Sequence, residues 1–304
     1  MKTISNPNLI VTVAPELGGV ITGFRVTRSG ASREIVQTPG NPPDLTKRGM
    51  FGMLPWVGRI PDAMIDCSAI PALMEKIRIE HQADAKTCLH GIYRQQQCQV
   101  IEESEGRIHL QYVHDQAIMS GYSWFGPFQV DSVLRLSEDW TLESTYRLTN
   151  TGPQPFPAVI GEHPMFPRVD GMRFQFNAKQ ILRMNPITLV PDGEPEPIPG
   201  ELDFSSLRTA PDDLEVLYLG WDGHATVSYE DYDVFIRDQS QVRESGRCLM
   251  AWHRRSNSLC ALESQTGEAN GANRLNAGKW SGTQILGPGE SIEIQNAYTI
   301  APRW

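Results

Sequence analysis

Apolar and polar residues alternate with period two through much of the chain, the pattern that sends successive side chains to opposite faces of a strand. In RIHLQYVH, Ile108, Leu110 and Tyr112 fall on one face, with His109, Gln111 and Val113 on the other. In WTLESTYRLTNTG, Trp140, Leu142, Tyr146 and Leu148 share a parity, and Ser137-Glu138-Asp139 before them predicts a hairpin turn from a strand over 130–136. Gly287-Pro288-Gly289-Glu290 predicts a turn into a last strand with Ile292, Ile294, Tyr298 and Ile300 on one face. Helical periodicity is nearly absent; the best short candidate is 211–218, where Pro211 stands at a possible helix start followed by Asp212 and Asp213. Many short strands joined by turns, with no strand–helix rhythm, predict an all-β chain built as a large antiparallel sandwich or barrel with long loops. The stretch 192–200, DGEPEPIPG, has the composition of a linker, but strand patterning continues on both sides, so it is expected to be a loop within one domain spanning 1–304.

Composition narrows the class of function. With 27 Lys plus Arg against 36 Asp plus Glu, the formal charge is −9, and such a surface on average repels nucleic acid phosphates. A chain of 304 residues with 40% hydrophobic and 21% charged residues buries a large core. No run of about 18 apolar residues predicts a membrane-spanning helix. The first apolar run, 9–13, is too short for a secretion signal, so a soluble cytoplasmic protein, monomer or homodimer, is expected. Five scattered cysteines without a Cys-x-x-Cys pair read as reduced thiols, core or half-buried. The seven histidines show no His-x-His or His-x-x-x-His spacing, which predicts no metal. No P-loop, Gly-x-Ser-x-Gly elbow or dinucleotide fingerprint is present.

Four clusters hold candidate chemistry. In FGMLPWVGRIPDA, Trp56 and Arg59 suit a polyhydroxylated ligand, the ring stacking on C–H faces and the guanidinium donating fixed hydrogen bonds; the alternative is a surface arginine beside a core tryptophan. In KTCLHGIYRQQQCQV, His90 precedes Gly91, whose backbone freedom allows close approach to a ligand, and Arg94 follows; a structural histidine is the alternative. In PFPAVIGEHPMFPRVDG, His163 stands beside Glu162 among prolines that predict a rigid loop rather than a continuous central strand. In LCALESQTGEANGAN, Glu263 ends an apolar approach, where desolvation raises a carboxyl's pKa and makes it a candidate general base. Asp222 and His224 in GWDGHATVSY read by default as turn chemistry.

Taken in order, these pieces resemble the aldose 1-epimerase (galactose mutarotase-like) family. The resemblance runs from Pro15-Glu16-Leu17-Gly18-Gly19 through 55–60, Leu89-His90-Gly91, His163-Pro164-Met165-Phe166, Gly220-Trp221-Asp222-Gly223 and Leu262-Glu263 to Gly287-Pro288-Gly289-Glu290. It implies a large antiparallel β-sandwich and ring opening and reclosure of a hexose at its anomeric carbon, without a cofactor. By the same resemblance, Glu263 is the general base on the C1 hydroxyl, His163 the general acid on the ring oxygen, and His90 a stabilising donor. Arg59 and Asp222 would hold sugar hydroxyls. Departures at Gly58, Met165 and Ser264, where asparagine, tyrosine and proline are common in the family, alter the pocket wall. The short LHGIYR form is similar to the hexose-6-phosphate epimerase branch, in which Arg59 and Arg94 would bind a phosphate. The net charge predicts instead that neutral sugars bind better, unless Arg94 stands beside Arg59 in the cleft. A non-catalytic sugar-binding or sensing protein on the same sandwich is the competing expectation.

Overall fold

The alternating stretches form strands whose buried positions follow the predicted parity. The strand Arg107–His114 buries Ile108, Leu110 and Tyr112, and Ser291–Pro302 buries Ile292, Ile294, Tyr298 and Ile300. The computed structural model describes residues 1–38, 49–71, 73, 76–78, 87–115, 126–137, 140–241 and 246–304. Glu138 and Asp139 of the expected hairpin turn lie outside them. The turn before the last strand forms as expected, with the Glu290 amide donating to the Gly287 carbonyl at 3.0 Å.

The strands assemble into two large antiparallel sheets. The first runs in the order Lys2–Ser5, Leu9–Ala14, Val20–Arg28, Met50–Met53, Gly161–Pro164, Leu259–Gln265, Cys248–His253, Leu214–Leu219, Gln180–Arg183 and Glu196–Pro197. The second runs Gln99–Ser104, Arg107–His114, Phe128–Leu136, Thr141–Asn150, Ser291–Pro302, Tyr232–Asp238, His224–Ser228 and Arg173–Phe176. The main core lies between them, where Val11, Phe24 and Leu262 of the first sheet join one apolar cluster with Ile108, Leu148 and Ile294 of the second. The first sheet is buried on its other face as well. Separate clusters there, Leu182, Leu217, Leu219, Cys248 and Met250 at one end and Val20, Phe51, Met53, Val57 and Val159 at the other, pack under loops. All seven residues of Leu259–Gln265 are therefore buried, as a strand covered on both sides requires.

Two local expectations are corrected. The helix expected over 211–218 is instead the strand Leu214–Leu219, paired with Cys248–His253. Leu214, Val216 and Tyr218 face the main core while Leu217 and Leu219 face the outer cluster, and two-sided burial overrides the local Pro-Asp-Asp start signal. Among the described residues the α-helix is Gly271–Asn276, whose single apolar pair Ala272 and Leu275 is too short a pattern to betray it in the sequence. The stretch 192–200 contributes the two-residue edge strand Glu196–Pro197. All five cysteines are free and buried, and among the described residues no helix is long and apolar enough to cross a membrane.

The proline-rich stretch also departs from the rigid loop expected of it, because Gly161–Pro164 is a short central strand between Met50–Met53 and Leu259–Gln265. Its alternation turns Glu162 inward, where one carboxylate oxygen accepts hydrogen bonds from Ser144 Oγ (2.7 Å), Asn296 Nδ2 (2.7 Å) and Tyr298 Oη (2.9 Å). Burial pushes this carboxyl up to about 7, against the pull of those donors. Between 4.5 and about 7 the folded chain thus holds a proton that the unfolded chain has released, and stability falls as pH rises through that window. Glu162→Gln removes this term. Its stability relative to wild type, measured by urea unfolding, is expected to improve by roughly 3 kcal/mol between pH 4.5 and 7.5. A difference that does not change with pH would refute the assignment.

Candidate active site

The alternation that buries Glu162 turns His163 to the loop-covered face. His163 pairs in register with Phe51 and stacks on its ring, with centroids 4.9 Å apart and planes at 29°. On the adjacent strand, in the register set by the Gly161–Gln265 and Phe166–Cys260 pairs, Glu263 stands opposite His163 and projects from the same face, and its Oε1 lies 3.2 Å from His163 Nε2. Gln265 Nε2 donates to Glu263 Oε2 at 2.8 Å. Both members of the pair are buried, His163 at 5% and Glu263 at 3% exposure. Burial pushes Glu263 up, and burial followed by the charge of Arg94 pushes His163 down. Both shifts favour a pair that is uncharged overall and holds one proton near neutral pH.

The facing wall comes from two short strands, Arg59–Pro61 and Thr87–Leu89, with Arg59 opposite Leu89. His90 follows with φ 57°, and its backbone amide donates to the Gly58 carbonyl at 2.8 Å while its Nδ1 accepts from the Gly58 amide at 3.2 Å. An accepting Nδ1 leaves the ring proton of a neutral His90 on Nε2, as a donor. Burial, then the charges of His163, Arg94 and Arg59, push the His90 pKa well below its ordinary value and keep the ring neutral. Gly91 is required for this approach: a Cβ there would stand 1.9 Å from the Leu54 carbonyl oxygen. Arg94, in the 3₁₀ turn Tyr93–Gln95, sets its guanidinium carbon 5.3 Å above the Phe51 ring.

These walls enclose a cleft of about 180 Å³. His163, Glu263, His90, Arg59 and Arg94 all line it, so five of the seven residues singled out in the sequence converge although they are far apart along the chain. The other two do not. Asp222 is exposed in a turn, one oxygen accepting from the His224 amide (2.9 Å) and the other from Asn177 Nδ2 (3.0 Å), which is the default reading of Asp-Gly. Trp56 is buried at 5% exposure and borders a separate small apolar cavity with Pro157 and Ala158. Its hydrophobic surface is spent on packing, and Phe51 and Trp252 are the aromatic rings at the cleft.

Sequence reasoning missed Glu215 and Gln265, both in the cleft lining. Glu215 lies on Leu214–Leu219 opposite Trp252 and is paired with Arg254. Its signal was a lone carboxylate inside the apolar run LEVLYL, the same cue that marked Glu263, but the helix expected there concealed it. Gln265 shares the strand parity of Glu263. Met165 also lines the cleft, so the departure noted there does alter the pocket wall. Among the described residues no group of three or more His, Cys, Asp or Glu side chains is placed to hold a metal ion.

Comparison with known proteins bears on both fold and family. No curated protein matches the sequence. A solved structure of a candidate aldose 1-epimerase from Escherichia coli K12 shares 21% identity, with 99% of this chain and 98% of that one covered and a TM-score of 0.80. A galactose mutarotase-like protein from Lactobacillus casei is similar at 17% identity, 99% and 100% coverage and a TM-score of 0.77. Another from Clostridium acetobutylicum matches at 17% identity, 99% and 94% coverage and a TM-score of 0.80. At such identities the likeness shows the fold, a mutarotase-like antiparallel sandwich. Residues 1–299 match the sequence pattern of the aldose 1-epimerase family, and the chain belongs to that family.

Proposed function

We propose that this protein is a mutarotase that interconverts the α and β anomers of a hexose or close derivative. The observation that carries the reading is the buried contact between His163 Nε2 and Glu263 Oε1 at 3.2 Å in the floor of the cleft. Anomer exchange moves one proton off the C1 hydroxyl and one onto the ring oxygen, and both oxygens are bonded to the same carbon. Acid and base must therefore stand almost in contact. With the pair's single proton shifted from Glu263 to His163, Glu263 takes the hydroxyl proton as the O–H electrons form the aldehyde carbonyl and the bond from C1 to the ring oxygen breaks, while His163 delivers its proton to the departing ring oxygen. After rotation about C1–C2 the transfers run backwards and the pair recovers its starting state with no net proton change. His90, fixed as an Nε2 donor, supports the charge that develops on the sugar, and Arg59 holds a hydroxyl or an anionic substituent. Met165, Met250 and Trp252 offer apolar surface to the C–H faces of the ring.

A second reading concerns the substrate. Arg94 lines the cleft with Arg59, and both charges act on His90. Two guanidiniums lining one partly dry cleft support an anionic substrate over the neutral sugar expected from net charge, because they act locally where the surface field is diffuse. A hexose phosphate is the substrate this pair favours.

Glu263→Gln is expected to lower the mutarotation rate, followed by polarimetry after subtraction of the buffer rate, on the order of 10² to 10⁴-fold while sugar binding is retained. His163→Asn should behave alike. Glu263→Gln protein that is folded and as fast as wild type would remove Glu263 from the mechanism. A wild type that accelerates no aldose would favour a sugar-binding protein.

The pH profile follows from the pair. Its one-proton state is lost when the Glu263 carboxyl ionises, and that carboxyl is raised to about 8, so the rate is expected to fall as pH rises through about 8. A descending limb near the ordinary carboxyl value would contradict the pairing. For the substrate, Arg94→Ala is expected to weaken turnover of a 6-phosphorylated hexose by at least about tenfold more than that of the free sugar, in line with loss of a charge-assisted contact. Equal losses on both substrates would return the assignment to neutral sugars.

A further inference from the structure

We infer that Gln265 is a positioning residue for Glu263: it occupies one carboxylate oxygen and leaves the other, aimed at His163, as the oxygen that exchanges protons with the substrate. The inference rests on the mutarotase reading and concerns a side chain to which that reading gives no role.

Gln265 ends the strand Leu259–Gln265, two residues beyond Glu263, so both side chains leave the same face of the sheet. It is buried at 4% exposure. Its Nε2 donates 2.8 Å to Oε2, while Oε1 stands 3.2 Å from His163 Nε2. The two oxygens of a carboxylate are chemically equivalent and exchange by rotation about the last side-chain torsion, which has a broad two-fold preference. A single donor on one oxygen breaks that equivalence and fixes which lone pairs reach the cleft. The space for this donor depends on the neighbouring strand. Gly161 is the register partner of Gln265, and a Cβ there would lie 3.0 Å from Gln265 Cγ and 3.0 Å from the Ser264 carbonyl oxygen. The strand that carries His163 thus makes room for the residue that orients Glu263.

The amide also sets the charge of the base. The titratable and charged groups around Glu263 are His163 on Gly161–Pro164, Glu215 with its partner Arg254 two strands away, and His90, Arg59 and Arg94 across the cleft. Burial pushes Glu263 up and Glu215 adds to it, whereas the Gln265 N–H stabilises the anion and opposes both. Without that donor, the carboxyl holds its proton to higher pH.

Gln265→Met keeps bulk and reach but removes the donor. In the free protein, the Glu263 titration midpoint read by ¹³C NMR of labelled carboxyls is expected to rise by about one to two units. The descending alkaline limb of kcat should move up by the same amount, with kcat lowered and KM little changed. An unchanged Glu263 midpoint in folded Gln265→Met overturns the inference. If that variant does not fold, the wild type supplies the readout: the Gln265 side-chain amide ¹⁵N and ¹H resonances should shift with the Glu263 midpoint, and resonances indifferent to it overturn the inference equally. The NMR readout needs no turnover. A wild type that titrates as described but accelerates no aldose therefore sinks the mutarotase reading while leaving the Gln265–Glu263 coupling in place.

Discussion

A single four-residue strand, Gly161–Pro164, ties the packing of the two sheets to the chemistry of the cleft. Because a strand alternates faces, Glu162 and His163 must point in opposite directions, one into the sandwich and one out of it. Glu162 is bonded by Ser144, Asn296 and Tyr298, which lie on two adjacent central strands of the second sheet. Those three donors fix where the first sheet sits over the second and, through the next peptide, where the imidazole of His163 stands. Gly52 opposite Glu162 belongs to the same constraint, since a Cβ there would come within 2.8 Å of the Tyr146 ring that packs beside the carboxylate. Phe51, next in the chain, carries the stacking surface for His163 on the outer face. Packing and site are thus two faces of one strand pair.

Electrostatics across the cleft follow from which element supplies each wall. The strand Arg59–Pro61 and the stretch that follows Thr87–Leu89 bring Arg59, His90 and Arg94 to one side, and the strand Leu214–Leu219 brings Glu215 to the other. The acid–base pair lies between. Burial, with the cationic wall beside it, keeps His163 and His90 uncharged at rest, and an uncharged His163 can accept the pair's proton without first shedding a solvation shell. The polarity of the cleft would also orient a substrate that carries a negative group, with its anionic end at the arginines.

Much of this was legible in the sequence. Strand parity located the buried faces because period-two alternation is a local property that tertiary packing uses directly. His163, Glu263, His90, Arg59 and Arg94 were marked by polar side chains set against glycine, proline or apolar runs, where burial changes their chemistry. Failures arose where one local pattern has two tertiary outcomes. Trp56 has the composition of a sugar-stacking ring, but its surface is used in the core. Asp222 sits in a motif of the family yet serves a turn. Glu215 was hidden because Pro211-Asp212-Asp213 signals a helix start, and the strand that actually forms is decided by two sheets of contacts invisible along the chain.

Comparison of the three buried glutamates gives a reason, independent of family, to place the chemistry at Glu263. Burial raises Glu162 to about 7, Glu263 to about 8 and Glu268 to about 7. Glu268 is offset by the buried Arg274, which also bonds the Gly193 carbonyl and so anchors the loop holding Leu189 against the cleft. Glu162 is offset by three donors from the second sheet. Glu263 has one amide and a neutral imidazole, the weakest compensation of the three, and it alone faces the cleft. A fold that needs a carboxyl only for structure supplies it with partners, as it does twice here. Leaving the third short of partners keeps its proton free to move, at a cost in stability that grows as pH rises towards its ionisation. That imbalance is what a proton-transfer site requires and what a packing residue would not retain.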